Sequence, residues 1–153
     1  MIPLPEDFRD FIRLLNRHRV RYVVVGGYAV AFHGFPRYTG DIDFFVELSE
    51  KNAAALIEVF REFGFKEPPD AALFLTPGNI VRIGWQPTRL EVLNQIDGVS
   101  FEECWTARQK AKLKDLLVNF INLPLLLKNK RASARPKDLE DLRNLPAQGK
   151  RPR

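Results

Sequence analysis

The sequence predicts an α+β fold in which a central mixed sheet is flanked by helices. Short β-branched runs of strand length, such as residues 21–25, alternate with longer stretches that carry apolar residues at helical spacing, such as residues 7–19 and 50–63. With 153 residues, 45% of them hydrophobic, the chain is long enough for one core and short for two. We therefore expect one domain over residues 1–145, followed by a basic C-terminal tail over residues 146–153.

The first third of the chain predicts two strands among three helices. Phe8, Phe11, Ile12 and Leu15 recur at helical spacing, which predicts an amphipathic helix that covers the sheet. The elements are a helix over 7–19, a strand over 21–25, a helix over 28–33, a strand over 41–46 and a helix over 50–63 that Ser49 caps. Gly34 and Pro36 end the short second helix, so a loop delivers the second strand.

The remainder predicts a meander of strands and then mainly helices. Apolar runs separated by Pro-Gly and Gln-Pro predict strands over 72–75, 80–85 and 89–93. The later elements are a helix over 101–109, a hairpin of 111–113 and 118–121, and helices over 124–132 and 137–145. Trp85 lies in one of the apolar runs and is assigned to the core.

Composition excludes several classes of protein. No apolar run approaches the roughly 20 residues that a membrane span needs, and the N-terminus lacks the pattern of a secretory signal. The single cysteine, Cys104, allows no internal disulfide. We therefore expect a cytoplasmic protein without a membrane partner. From Arg108 onward, thirteen Lys or Arg residues face four acidic ones, so the C-terminal third is either a polyanion surface or a solvated pair of helices.

Two motifs carry the chemistry. Asp41 and Asp43 are two apart in a predicted strand, so both side chains leave the same face. Such a pair suits a hard divalent cation, Mg²⁺ or Mn²⁺, when a phosphate completes the coordination shell, although an isolated Asp-x-Asp also occurs as two solvated acids. Upstream, Gly26-Gly27 joins a strand to a helix and offers backbone amides that a phosphate can approach closely. Together these motifs predict a metal-dependent nucleotide site.

The segment from Val23 to Asp43 resembles the polymerase-beta-like nucleotidyltransferases, whose hallmark is a strand, Gly-Gly or Gly-Ser, a short helix and Asp-x-Asp on the next strand. It is similar to a compact prokaryotic branch related to abortive-infection and toxin–antitoxin nucleotidyltransferases. That branch also carries a late Lys followed by Arg, Lys-Asp and Asp-Leu, which correspond here to residues 130–142. The resemblance covers about residues 20–145 and implies a nucleotidyltransferase fold.

The resemblance also implies roles for individual residues. A third carboxylate is matched to Glu91, where many relatives have Asp, so that Asp41, Asp43 and Glu91 become the catalytic and metal-binding set; Glu47 and Asp97 are weaker candidates. Lys130, with Lys128 as second choice, is expected to steady the triphosphate. Gly26, Gly27, Arg37 and Thr39 complete the nucleotide site. From its place in the loop before the carboxylates, Arg37 is expected to pair with the leaving pyrophosphate or with Asp41. Tyr38, in the same loop, is the aromatic residue to test for stacking on the nucleobase.

Three functions follow from these motifs. The first is an enzyme that transfers a nucleoside monophosphate from a nucleoside triphosphate to a hydroxyl on an RNA 3′ end, such as that of tRNA, or on a partner protein. A toxin–antitoxin or defence context, with a cognate antitoxin or toxin partner, belongs to this hypothesis. The second is a catalytically inactive module of the same fold that senses nucleotides or binds a partner. The third, which rests only on the basic C-terminal third, is a nucleic-acid-binding protein without nucleotide chemistry.

Overall fold

The structure, a computed structural model, describes residues 2–146, so residues 147–153 of the predicted basic tail lie outside the described residues. Within the described part, the chain forms six strands and seven helices. The strands are β1 (Tyr22–Val25), β2 (Asp41–Val46), β3 (Ile80–Ile83), β4 (Arg89–Leu93), β5 (Gln109–Leu113) and β6 (Leu116–Phe120). The helices are α1 (Glu6–Arg17), α2 (Gly26–Phe32), α3 (Glu50–Phe63), α4 (Ala71–Leu75), α5 (Phe101–Thr106), α6 (Leu123–Ser133) and α7 (Pro136–Asn144).

All six strands form one sheet in the order β3-β4-β2-β1-β6-β5. The sheet is mixed: β1 pairs antiparallel with β2 and parallel with β6, and β2 pairs parallel with β4. Antiparallel hairpins, β3–β4 and β5–β6, form the two edges. The predicted α+β class with a central mixed sheet is confirmed. The predicted late hairpin is also present, as β5 and β6.

The core lies where α1 and α3 cover the sheet. All four residues of β1 are buried, and the apolar stripe of α1 is buried completely. Phe11 of this stripe contacts the rings of Phe44, Phe60 and Phe63, with ring centroids 5.2 to 5.6 Å apart. Burial of each such side chain stabilises the fold by about 2 kcal/mol. In the described part of the chain, no helix combines the length and the apolar character that a membrane crossing requires.

Three predictions of local structure are wrong. Residues 72–75 belong to the helix α4, because the side chain of Asp70 caps it by accepting a hydrogen bond from the Ala72 amide at 3.0 Å. An apolar run of this length does not distinguish a strand from a helix by periodicity alone. Trp85 is 85% exposed, because β3 ends at Ile83 and Gly84 turns the chain at φ +80°. The helix predicted over 101–109 ends at Thr106, and Gln109 already begins β5.

Candidate active site

The glycine turn leads directly from β1 into α2. Gly26 has φ +67°, a left-handed conformation that favours glycine. A Cβ atom at Gly26 would overlap Oδ2 of Asp43, and one at Gly27 would lie 2.6 Å from Oγ1 of Thr39. The missing side chains therefore make room for two other residues of the predicted site. Both glycines are required by packing within the chain, in addition to any approach of a phosphate.

The strand register brings the predicted carboxylates together. Asp43 lies opposite Val25 of β1 on one side and opposite Glu91 of the parallel strand β4 on the other. Asp41, two residues earlier on β2, leaves the same face of the sheet. Glu91 is thus placed beside the Asp-x-Asp pair, as the family resemblance implied. Of the two weaker candidates, Glu47 pairs with Arg21 and lines a different cavity, whereas Asp97 lines a depression that adjoins the carboxylates.

Two arginines that sequence reasoning missed engage these carboxylates. The guanidinium of Arg89 donates two hydrogen bonds to Asp41, from Nε at 2.9 Å and from Nη2 at 3.0 Å. Nε of Arg82 donates to Oε1 of Glu91 at 2.9 Å, and Nη2 of Arg89 lies 3.3 Å from the same oxygen. The sequence contained a signal for Arg89. Side chains two residues apart on a strand leave the same face of the sheet, so Arg89 lies on the same face as Glu91. Arg82 becomes a neighbour only through the register of β3 with β4.

Asp43 is the carboxylate without such an arginine, and its environment changes its titration. Burial, a hydrogen bond with Glu91 and the charges of Glu91 and Asp41 together raise the pKa of Asp43 to about 8, while Lys130 acts in the opposite direction. The proton that Asp43 retains relieves the repulsion between its side chain and that of Glu91. The arrangement favours any cation that can replace that proton.

The predicted phosphate-binding cations belong to a cluster of ion pairs that connects α6 with α7. This α6–α7 cluster consists of Lys130, Arg37 and Arg135 with the two buried carboxylates of Asp138 and Asp141. Nζ of Lys130, whose residue is 4% exposed, donates to Asp138 at 3.0 Å and lies 3.1 Å from Asp141. Arg37 donates two hydrogen bonds to Asp141, at 2.7 and 2.9 Å. Arg37 therefore pairs with Asp141, and the predicted alternative of a pair with Asp41 is wrong.

The cations of the α6–α7 cluster lower the pKa of both of its carboxylates. Burial by itself raises the pKa of Asp138, but hydrogen bonds from Arg135, Lys130 and Ser133 outweigh this effect and hold the pKa far below its ordinary value. For Asp141, burial is likewise outweighed by Arg37 and Lys130, so its pKa is also lowered. Three cations against two carboxylates leave the cluster with a net charge of +1. Its positive potential faces the cleft described next.

One cleft, with a volume of about 480 Å³, is lined by all the predicted site residues. The predicted residues in its lining are Gly26, Gly27, Arg37, Thr39, Asp41, Asp43, Glu91 and Lys130. Arg82, Arg135 and Lys137 add basic side chains to the same walls. Lys128, the second choice for the triphosphate, instead lies 3.8 Å from Glu103 on the neighbouring helix α5. Tyr38 follows Arg37 in the loop before β2, and 74% of its surface is exposed.

Comparison with known proteins agrees with this geometry. Residues 5–151 match the family model described as nucleotidyl transferase of unknown function (DUF2204). Among solved structures, the fold is similar to that of a candidate nucleotidyltransferase from Thermotoga maritima, with a TM-score of 0.59 and 18% sequence identity over 89% of this chain and 88% of that chain. No curated protein matches the sequence. Because the family model spans nearly the whole chain, the protein belongs to this nucleotidyl transferase family and has the nucleotidyltransferase fold.

Proposed function

We propose that the chain is a Mg²⁺-dependent nucleotidyltransferase, able to use Mn²⁺ instead, that transfers a nucleoside monophosphate from a nucleoside triphosphate to a hydroxyl acceptor. The observation that carries the proposal is the meeting of the Gly26-Gly27 turn with Asp41, Asp43 and Glu91 in one cleft. The volume of the cleft falls within the range of about 300 to 1,000 Å³ that is usual for small-molecule sites. Membership of the nucleotidyl transferase family supports the same chemistry.

The donor set suits a hard divalent cation, because all three side chains offer carboxylate oxygens. As the side chains stand, no group of three or more acidic, His or Cys residues within 2–146 converges closely enough to hold an ion. Two of the three carboxylates are engaged by Arg89 and Arg82, so occupancy requires at least Arg89 to release Asp41. Asp41, Asp43 and Glu91 would then hold the cation. When bound, it would neutralise phosphate charge and polarise the reacting phosphoryl group.

The residues of the cleft have distinct tasks in the transfer. The acceptor oxygen forms a bond to the α-phosphorus, the bond from that phosphorus to the bridging oxygen breaks, and pyrophosphate leaves. Glu91 accepts the proton of the acceptor hydroxyl. The first amides of α2, uncovered by Gly26 and Gly27, face the phosphates. The α6–α7 cluster fixes one wall of the cleft and contributes its net positive charge, which favours the triphosphate.

A specific observation also favours the second hypothesis, the inactive nucleotide-sensing or partner-binding module. Arg89 forms a bidentate ion pair with Asp41, and the enzyme hypothesis assigns Asp41 as a metal ligand. Replacement by Gln removes the charge while retaining a polar side chain. We expect Arg89→Gln to bind Mn²⁺ more tightly than the parent, as measured by titration calorimetry or by electron paramagnetic resonance of free Mn²⁺. Equal affinity in the two proteins would show that Arg89 does not compete with the ion.

The direct test is transfer of label. The purified protein is incubated with Mg²⁺ or Mn²⁺ and each α-phosphate-labelled nucleoside triphosphate, in the presence of total tRNA or a cell extract. Label in RNA or protein with the parent, and its absence with Asp41→Ala/Asp43→Ala, would establish the activity and identify the base and the acceptor. Asp115→Ala is the matched control, since this carboxylate lies on the exposed β5–β6 turn and pairs only with Arg9 among the described residues.

The alternative outcomes are distinct. Binding of a non-hydrolysable triphosphate without product in any fraction would favour the sensing module. Label that survives Asp41→Ala/Asp43→Ala would refute the assignment of the site. The toxin–antitoxin context of the proposal adds one expectation: a cognate partner supplies the acceptor hydroxyl or blocks the cleft. A cytoplasmic reaction is part of the same proposal, because triphosphates and RNA are available there.

A further inference from the structure

A second cavity lies at the opposite end of the sheet from the carboxylates. It has a volume of about 640 Å³ and contains Arg21, the residue before β1, whereas Gly26 at the other end of β1 lines the cleft. At about 3.3 Å per strand residue, Arg21 and Gly26 are about 16 Å apart. The end of α1, the first half of α3, the end of α5 and the β5–β6 hairpin form the remaining walls. We call this cavity the basic groove.

The basic groove collects positive charge from separate elements. Its lining includes five Arg or Lys residues and one His: His18, Arg19, Arg21, Lys51, Arg108 and Lys110. Within the described residues, Glu47 is the one acidic residue of the lining, and it pairs with Arg21 at 3.3 Å. His18 pairs with Glu62, just outside the lining. Arg19, Lys51 and Lys110 are exposed and form no salt bridge within residues 2–146.

The basic side chains of this groove converge on one cavity, which distinguishes the groove from an ordinary solvated surface. Elsewhere on α1 and α3, basic side chains are paired with acidic residues, as Arg13 is with Asp10 and Arg61 with Glu58. In the basic groove, cations from five positions in the fold face a shared concave surface with little acidic compensation. Such a surface concentrates positive potential and attracts a polyanion. A protein without an anionic ligand would gain no stability from this arrangement.

Trp105 holds two of the arginines in place. The guanidinium carbon of Arg108 lies 3.6 Å from the centroid of the Trp105 ring, and that of Arg21 lies 5.4 Å from it. Nη1 of Arg108 also donates to the Trp105 carbonyl at 2.8 Å. Arginine forks that are oriented in advance suit phosphate oxygens, because less side-chain freedom is lost on binding.

One donor in this arrangement has no acceptor. Nε of Arg108 is buried and is the one buried side-chain nitrogen or oxygen in the described part of the chain that lacks a hydrogen-bond partner. A buried donor in this state is unfavourable, and native proteins usually satisfy such groups with a ligand or water. The unpaired Nε–H is a second observation, independent of the charge count: a shift of the Arg108 side chain would let an acceptor bound in this groove satisfy it.

From these features we infer that the basic groove binds the sugar-phosphate backbone of single-stranded RNA. Oriented arginines and exposed lysines converge here from several elements. This arrangement matches a row of phosphates better than it matches a single anion. The inference rests on the proposed function in one respect: it identifies RNA, and not a protein, as the acceptor, with the backbone held in the groove and the 3′ hydroxyl at the carboxylates. Binding itself is measurable without catalysis.

The test compares three proteins that each carry residues 1–153, by fluorescence anisotropy with a labelled single-stranded RNA, without metal or nucleotide. The groove variant is Arg19→Gln/Lys51→Gln/Lys110→Gln. The matched control, Arg13→Gln/Arg61→Gln/Lys66→Gln, removes the same charge from other exposed positions. Residues 147–153 are identical in all three proteins, so any contribution of their basic side chains cancels. All three substitutions of each variant replace exposed side chains, and circular dichroism would verify that the fold is retained.

The groove variant should bind RNA at least about tenfold more weakly, and the control should bind like the parent. Each phosphate contact contributes about 0.7 to the slope of log affinity against log salt for single strands, so three lost contacts should reduce the slope by about 2. Equal affinities or equal slopes for the groove variant and the control would overturn the inference. So would an affinity for polyglutamate equal to that for RNA.

The inference and the proposed function fail in different ways. Asp41→Ala/Asp43→Ala should still bind RNA with the salt dependence of the parent, because the phosphates are held in the basic groove and these residues lie in the other cleft. If no protein transfers label but the groove variant alone loses RNA binding, the proposed function fails and the RNA site stands. If label enters a protein acceptor while RNA remains unlabelled, the assignment of RNA as the acceptor is refuted.

Discussion

Replacement of Gly26 by alanine tests the geometry of the candidate site most directly. Two effects are expected. The residue is at φ +67°, and a left-handed conformation costs a residue with a Cβ atom about 1 to 2 kcal/mol. In addition, the new Cβ would overlap Oδ2 of Asp43 and lie 3.1 Å from its Cγ, closer than the 3.4 Å at which ordinary contacts begin. The carboxylate therefore has to withdraw from its place beside Glu91, by roughly an ångström.

A displacement of about an ångström at a reacting group costs on the order of a hundredfold in rate. We therefore expect Gly26→Ala to reduce label transfer about a hundredfold and to weaken Mn²⁺ binding, which is a readout independent of turnover. The rate is measured at saturating triphosphate, and the free energy of unfolding is measured by urea denaturation. A folded Gly26→Ala protein with low activity would show that the loss arises in the site.

Gly34→Ala is the matched control. Gly34 also has a positive φ, +115°, but a Cβ atom there would meet nothing within 4 Å. This variant should lose stability through backbone strain, by about 1 to 3 kcal/mol, and retain its Mn²⁺ affinity. The reasoning is refuted if Gly26→Ala keeps the parental rate and affinity, or if both variants lose activity to the same extent.

Three further predictions concern pH, the buried cluster and the exposed aromatic. Because burial raises the pKa of Asp43 to about 8, from 3.8, the folded state retains a proton that the unfolded state loses; the free energy of unfolding should fall as pH rises from about 4 to 8. Asp43→Asn should remove that fall in urea titrations across this range. Lys130→Met leaves two buried carboxylates short of a partner and should destabilise the fold by about 3 kcal/mol. Lys128→Met, the control, should destabilise it by at most about 0.5 kcal/mol. Equal denaturation midpoints for the two variants would contradict this. Tyr38→Ala should weaken binding of a non-hydrolysable triphosphate about tenfold in calorimetry without changing the midpoint, and unchanged affinity would exclude stacking.

Much of the fold could be predicted from local patterns. The buried stripe of α1, the β-branched strand β1, the Ser49 cap of α3 and the late hairpin all followed from short-range regularities. The failures occurred where local signals are ambiguous. Residues 72–75 are an apolar run too short to show a period. Trp85 is exposed because β3 ends two residues before the end of the predicted strand.

For the site, the sequence by itself determined which chemical groups are available. Asp-x-Asp on a strand must present both carboxylates on one face, and a Gly-Gly turn must leave backbone uncovered, so these residues were identifiable from their spacing and from the family resemblance. Glu91 was matched by resemblance, and the register of β2 with β4 places it opposite Asp43. These features depend on chain geometry over a few residues.

Only the tertiary structure decided which partners these groups have. Arg89 and Arg82 engage Asp41 and Glu91 because the β3–β4 hairpin lies beside β2, which is distant in sequence. Lys130 is buried because α7 brings two carboxylates over it. The basic groove likewise collects cations from elements spread over ninety residues of the chain. Charge interactions act through space and not along the chain, so a sequence pattern can name the charged residues but cannot say which of them neutralise one another.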